Sequence, residues 1–408
     1  MTTVTIERLG QQGDGVARGP IFVPLALPGE VVSGVVDGDL LIDTTIDTPS
    51  PDRVSAPCSH FRSCGGCKLQ HASTDLVAAW KRDIVVTALS VHGIETEVRP
   101  TLTSPDRSRR RATFAARRTK KGATVGFHAR KSDAIIPVPN CILVTPALAA
   151  VAPLAEALAQ VGTSRKAELS VTVTDSIEGL DVSVMGGKPL DGPLRIALAG
   201  LCETYRLARL TWADELIGMR IPPAQAIGAA RVVPPPGAFL QATQHGQDTL
   251  TALVQDVVGD AKSVVDLFSG CGTFALPMAA RAEVLAVETA PEMVAAMDAG
   301  WRHAQGLKLV RGLVRDLFQR PLLPDELKKF DAAVIDPPRA GAVAQIAELA
   351  KAKMPKIAHV SCNPQTFARD AATLINAGYV LDWVQPVDQF RWAAHVELVG
   401  AFSLAHTR

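Results

Sequence analysis

The sequence predicts an α/β protein: a C-terminal half built on a parallel sheet, preceded by a small β module and an α+β central region. Three observations carry this. Four short apolar strands, near Ser263, Val284, Leu309 and Ala332, each run into an acid: Asp266, Glu288, Asp316 and Asp336. The first is followed by the turn Gly270-Cys-Gly272 and a helical stretch, the strand–turn–helix order of a βαβ unit. The first fifty residues alternate apolar and polar positions between glycine turns, which suits short antiparallel strands. At 408 residues the chain is too long for one core. Its 47% hydrophobic and 20% charged content is that of a folded globular protein. Polar residues follow Met1 and no apolar run reaches membrane length, so a cytoplasmic location without membrane association is expected. Disulfides are rare there, so the seven cysteines need another explanation: metal, cofactor, catalysis or packing.

Thr3-Val-Thr-Ile-Glu7 alternates at period two. Gly13-Asp-Gly-Val-Ala-Arg18 turns into a strand, and Ile21–Leu25 and Val31–Val36 follow, broken by Leu27-Pro-Gly-Glu30. This spacing predicts a barrel of the oligonucleotide-binding type over residues 1–50. Thr48-Pro-Ser-Pro-Asp52 reads as a linker. Cys58-Ser-His-Phe-Arg-Ser-Cys64-Gly-Gly-Cys67 then groups three thiols within ten residues. Zinc would take a fourth ligand from His60 or His71; an iron–sulfur cluster would take a remote thiolate, for which Cys141 is the candidate.

Thr74 to Val91 has helical spacing and ends at Gly93. The densest basic stretch follows: Arg109–Arg111, Arg117-Arg118, Lys120-Lys121 and Arg130-Lys131, interleaved with strand residues. Against a net charge of only +1, such clustering is what would form a phosphate track. Pro146–Gly162 reads as one helix, Leu169–Thr174 and Leu180–Met185 as a hairpin, Leu190–Cys202 as a helix, and Leu207–Trp212 and Glu215–Ile221 as strands. Cys202 is read as core.

In the C-terminal half, His245–Gly259 is helical and precedes the strand ending in Asp266. The glycine turn lacks the third glycine of a dinucleotide fingerprint, but Glu288, about 20 residues on, is placed to bind ribose hydroxyls. Four carboxylates at strand ends would repel one another without a ligand. Farther on, Ile357–Val360 delivers Cys362 to Asn363-Pro364, where proline stops the strand, and Thr366–Gly378 reads as a helix. Cys362 therefore sits at the carboxyl edge of the sheet, where helix N-terminal amides are expected to favour its thiolate. Glu397 lies in the apolar strand Ala394-His-Val-Glu-Leu-Val, so burial is expected to raise its pKa.

The strand-end acids resemble those of class I (Rossmann-like) S-adenosylmethionine methyltransferases. Together, Cys58…Cys64-Gly-Gly-Cys67, Asp266-Leu-Phe-Ser-Gly-Cys-Gly, Asp336-Pro-Pro-Arg-Ala-Gly, Ser361-Cys-Asn-Pro-Gln-Thr-Phe-Ala-Arg-Asp370 and His395-Val-Glu397 resemble the RNA uracil-C5 methyltransferase family. The first fifty residues resemble a TRAM domain. The resemblance implies Cys362 as nucleophile and Glu397 as proton acceptor. It implies cofactor contacts from Gln241, Phe268, Thr273, Glu288, Asp316 and Asp336, with S-adenosylmethionine as cofactor. It implies a 4Fe-4S cluster on Cys58, Cys64, Cys67 and Cys141. The substrate it implies is RNA, with 23S rRNA favoured and tRNA the alternative. A monomer is expected, divided into a TRAM-like module (1–50), a central domain (51–72 and 104–236) and a methyltransferase domain (73–103 and 237–408). Two rivals stand beside it. An amine methyltransferase would share Asp336-Pro-Pro but has no use for Cys362. An inactive iron–sulfur RNA-binding protein has no use for Cys362 or Glu397.

Overall fold

The computed structural model describes residues 1–405. Residues 2–48 form a closed five-stranded barrel, in the order Thr2–Leu9, Gly15–Ala17, Ile21–Val23, Leu40–Thr48, Val31–Asp37. Ile6, Ala17, Val23, Ala26, Val32 and Leu41 fill it. Glu30 is fully buried at its foot, where its carboxylate accepts hydrogen bonds from the Leu27 and Ser50 N–H groups and pairs with Arg53 at 2.5 Å. Burial alone would raise that carboxyl, but Arg53 and the two amides outweigh it and hold Glu30 below the usual carboxylate range. The linker is thereby fastened to the barrel.

The central region is a seven-stranded sheet, in the order Ile135–Ile136, Ala123–His128, Arg111–Arg118, Glu168–Ser176, Gly179–Met185, Arg209–Trp212, Glu215–Met219. Its core includes Phe114, Val171, Val182 and Trp212 from strands and Leu154, Leu158 and Leu198 from helices. The single helix expected over 146–162 is two: Pro146–Ala149 and Ala152–Gly162. Pro153 has no N–H and clashes with a preceding turn, so it is accommodated at the start of a new helix.

The C-terminal half is a nine-stranded sheet. Val310–Val314, Glu283–Glu288, Ser263–Leu267, Ala332–Ile335 and Lys356–Ser361 run parallel in that order. Glu397–Leu404 and Tyr379–Asp388 extend it antiparallel. Side chains alternate between two cores as the pleat requires: Val265, Leu267, Ala333 and Ile335 face one, Val264, Ala332 and Val334 the other. Chain order reverses between Ser263–Leu267 and Ala332–Ile335, which opens a crevice at their carboxyl ends.

A segment distant in sequence completes this sheet. Helix Thr74–Ser90, capped by the Ser73 hydroxyl, packs Val85, Ala88 and Leu89 into the first core. Glu97–Val98 and Leu102–Thr103 then pair parallel to Tyr379–Asp388. Lys81 and Asp388, both fully buried, form an ion pair at 2.5 Å that joins this helix to the end of that strand. No helix among the described residues is long and apolar enough to cross a membrane.

Candidate active site

Cys362 follows strand Lys356–Ser361 by one residue and precedes helix Pro364–Asn376. Asn363 caps that helix by accepting from the Gln365 N–H, and Pro364 occupies its first turn, where a missing N–H costs nothing. The rest of the motif fastens the neighbouring loop. Asn363 Nδ2 and Thr366 Oγ1 both donate to the Arg339 carbonyl. Arg369 donates to the Ala340 carbonyl, and the Asp370 carboxylate accepts from the Ala342 N–H. Gly341 has φ +75°, and a Cβ there would crowd Asp370 and Arg369, so only glycine fits. The two motifs, 336–341 and 361–370, are one physical unit.

That unit places Cys362 in a pocket of about 610 Å³. Gln241, Phe268, Thr273, Glu288, Asp316, Asp336 and Glu397, singled out in the sequence, all line the same pocket. Glu397 is the first residue of strand Glu397–Leu404, not an interior one as expected, yet it is buried. Burial and the nearby Asp336 push its carboxyl up to about 8, against a hydrogen bond from Gln389 that opposes the rise. Burial likewise pushes Asp336 up to about 7. Asp266 is fully buried and is raised well above the carboxylate range by burial and by Asp336.

The Cys362 thiol goes the opposite way from the sequence expectation. Burial, Glu397 and Asp336 push it up to about 11, with Arg339 only partly offsetting them. The helix start gives no net stabilisation of the thiolate because burial, joined by the carboxylates facing it, outweighs it. Cys362 thus sits beside two carboxyls, Glu397 and Asp336, that like the thiol itself resist ionising.

The other end of the pocket is built for a polar ligand. Phe268, just past strand Ser263–Leu267, is held at φ +63°, an unusual conformation for a bulky residue. Its ring lies 5.4 Å from that of Phe318, an exposed residue beside Asp316. Glu288 accepts from the N–H groups of Gly270, Thr289 and Ala290, which fixes its carboxylate at the turn. Asp316 is oriented by the Phe318 and Gln319 amides. Carboxylates at the rim and aromatic rings at the mouth suit the ribose, sulfonium and adenine of S-adenosylmethionine.

Sequence reading missed Phe239 and Phe390, and gave no role to Arg339 and His395 within their motifs; all four also line the pocket. Phe239 is two-thirds exposed there, two residues past Pro234-Pro-Pro-Gly237, at the expected boundary between the central and methyltransferase domains. The basic stretch also needs correction. Arg110 is buried and donates to the Gln241 carbonyl and to the side chains of Gln225, Gln244 and Gln247. It braces the chain leading into the pocket and does not face solvent.

Cys58, Cys64, Cys67 and Cys141 gather beside the barrel. Burial raises the Cys64 thiol, with Cys141 and Cys58 adding and the Gly66 N–H and Arg130 opposing. Burial pushes Cys67 up to about 12, with the other three thiols adding. Among the described residues no three His, Cys, Asp or Glu side chains converge as one metal ion requires. His71 is buried and stacks on Phe61 at 5.4 Å, with neither ring nitrogen bonded, and His60 is part-exposed. Arg130 donates to the Phe61 and Cys67 carbonyls, and the Lys68 and Leu69 N–H groups both donate to Trp392 O. The patch is thus tied to the loop between Asp388 and Glu397.

Residues 235–403 match the family model for tRNA (Uracil-5-)-methyltransferase. An RNA methyltransferase of Rhizobium meliloti is 44% identical over 409 residues, covering 97% of this chain and 98% of that protein. A 23S rRNA (uracil(1939)-C(5))-methyltransferase of Shewanella sp. is 31% identical, covering 98% and 95% respectively. The fold is similar to that of Pyrococcus abyssi tRNA (uracil-54, C5)-methyltransferase, solved with S-adenosyl-L-homocysteine, at a TM-score of 0.77 and 23% identity over 98% of this chain and 99% of that one. Fold, pocket and relatives define an S-adenosylmethionine-dependent RNA methyltransferase. Within that class, the chain belongs to the RNA uracil-C5 methyltransferase family.

Proposed function

We propose that this enzyme methylates carbon 5 of a uridine in 23S rRNA, with Cys362 as nucleophile and Glu397 as proton acceptor. One observation carries the reading: a thiol and two carboxyls of raised pKa share a pocket with the rim suited to the cofactor. Carbon 5 of uracil is a weak nucleophile. The Cys362 thiol gives its proton to a neighbouring pocket carboxylate, and addition of its sulfur to carbon 6 moves electron density onto carbon 5 and the carbonyl oxygen at carbon 4. S-adenosylmethionine, held by Gln241, Phe268, Thr273, Glu288, Asp316 and Asp336, supplies the methyl group as an electrophile on a sulfonium. Glu397 then takes the carbon 5 proton, the double bond re-forms and the sulfur leaves. In its ionised form, a carboxyl titrating near 8 is a stronger base than an ordinary one and suits this removal. Arg339 and Asp336 flank the thiol, so their charges tune its ionisation.

The uridine must leave its stack to reach Cys362. Phe239 and Phe390, on the pocket wall, offer ring surfaces for the flipped base. The barrel is read as a TRAM-like RNA-binding module. A 4Fe-4S cluster on Cys58, Cys64, Cys67 and Cys141 is read as structural, since methyl transfer needs no electron; when bound, it would cross-link the patch. The rRNA assignment is supported by the rRNA-specific relative, which aligns along nearly the whole chain. Incubation with 5-fluorouridine-containing 23S rRNA and labelled S-adenosylmethionine is expected to give a covalent adduct that survives denaturation and is absent from Cys362→Ala. Full turnover by that variant would sink the nucleophile assignment. Mapping 5-methyluridine in a deletion strain identifies the RNA, and loss from tRNA alone would replace the rRNA reading.

A further inference from the structure

Between the residue proposed to contact the cofactor and the residue proposed to take the proton lies one uncharged side chain. Gln389 is buried next to Asp388, the residue that Lys81 anchors. Its Oε1 accepts from the Ala242 N–H at 2.8 Å, which fixes which way the carboxamide faces. Nε2 then points to the other side, where it donates to Gln241 Oε1 at 2.5 Å and to Glu397 Oε2 at 3.1 Å. The fit is close: a Cβ at Gly246 would lie 2.7 Å from Gln389 Cβ and 2.9 Å from its Oε1. The carboxamide makes three hydrogen bonds, all to buried groups.

We propose that Gln389 is a positioning residue that couples Gln241 of the cofactor site to the proton acceptor Glu397 through a single carboxamide. The inference rests on the function proposed above. Gln389 holds Glu397 by Oε2, leaving Oε1 to take the carbon 5 proton. Because the donor is neutral, it orients the carboxylate without the strong loss of basicity that an arginine or lysine would impose. Because the same NH2 group also holds Gln241, movement of Gln241 on cofactor binding is transmitted to the base. The other charged or titratable groups facing Glu397 are Asp336, Cys362, Arg339 and His395 in the pocket, with Lys81, Asp388 and Arg391 on or against its loop. None of these donates to Glu397.

The test uses the full-length enzyme and two variants, Gln389→Met and Gln389→Glu. Methionine keeps the length and volume and removes every hydrogen bond. Glutamate keeps the acceptor for Ala242 but removes the donor. Release of the methylated RNA from Cys362 is followed in single-turnover reactions from pH 6 to 9.5. Loss of the donor to a carboxylate makes that carboxylate harder to form, so the acid limb for release is expected to move up by about one pH unit in Gln389→Met. Release should slow about tenfold at pH 7, recover near pH 9, and be accompanied by a several-fold rise in KM for S-adenosylmethionine. Gln389→Glu, which adds a third carboxyl, should move the limb further. An unchanged limb and KM, or a loss equal at every pH with intact folding by circular dichroism, would overturn the coupling. If the unmodified enzyme forms no adduct with 5-fluorouridine RNA, or Cys362→Ala turns over, the underlying reading fails and the coupling falls with it. If both behave as read and only the limb stays put, the coupling alone is refuted.

Discussion

Two regions hold part-buried thiols pushed far from their ordinary value: Cys362 to about 11 and Cys67 to about 12. Burial is the first cause in both, but the company differs. Cys362 faces Glu397 and Asp336, opposed by Arg339. Cys67 faces Cys141, Cys64 and Cys58, with Gln70 bonding to it. In neither place is the thiolate favoured by the protein alone. The comparison teaches that each region is built around positive charge that arrives with its ligand: a sulfonium in the first, iron in the proposed reading of the second. A thiol raised by burial, with anionic neighbours adding to the rise, is therefore no sign of an inert cysteine.

The largest effect separates the two thiols outright. Cys362→Ala is expected to lower turnover by at least about 10³-fold while leaving RNA and S-adenosylmethionine binding in place, measured by steady-state methylation and equilibrium binding. On the proposed cluster reading, Cys67→Ser should instead abolish iron binding and absorbance near 400 nm; because Lys68 and Leu69 hold Trp392 O, turnover should fall only as far as the loop loosens, about tenfold. Equal losses from both would erase the distinction. Stoichiometric zinc without iron would refute the cluster.

Glu397→Gln comes next. Removing a general base typically costs about 10²–10⁴-fold. Here the deficit should fall after methyl transfer, so methylated RNA accumulates on Cys362 in denaturing gels. A loss without that accumulation would place Glu397 before methyl transfer.

Lys81→Met sharpens the comparison through the loop that serves both regions. It strands Asp388 in a buried site and is expected to destabilise the protein by about 3–5 kcal/mol in urea unfolding. Replacing Asp388 as well with leucine should recover much of that loss, because the pair together returns little over an apolar contact.

Much of this was legible in the chain before any coordinates. Acids at strand ends need only one sequence each, because a parallel strand delivers its last side chain to a common edge; Glu288, Asp316 and Asp336 meet for that reason. The interior of the Cys362 motif was legible as a strand–helix junction, but not as the clamp on the Arg339 and Ala340 carbonyls, since backbone acceptors carry no sequence signature. Arg110 looked like its neighbours in a basic run, and only its burial among Gln225, Gln244 and Gln247 shows a bracing role. Strand Leu40–Thr48, mostly exposed, and the hairpin Gln225–Ile227 with Ala230–Val232 were unread, because neither offers a long apolar pattern. Gln389 gave no signal at all: a glutamine acquires meaning only from what lies on its two sides.

A further effect concerns stability and tests whether Glu397 is raised by burial among carboxyls in the folded chain. Glu397 titrates at about 8 in the folded chain against 4.5 ordinarily. The folded state thus holds a proton that the unfolded state has released between those values. The stability this proton confers is complete below about pH 4.5 and is lost as pH rises through about 8. Glu397→Gln removes the titration, so its urea midpoint should match the unmodified enzyme at pH 5 and exceed it increasingly up to pH 8. Adding S-adenosylmethionine should narrow the gap at pH 8, because a sulfonium near Asp336 and Glu397 favours their charged forms. A gap that is constant with pH would mean that Glu397 is an ordinary carboxylate in the folded protein, and the contrast between the carboxylate-lined thiol and the thiol-lined one would lose its electrostatic basis.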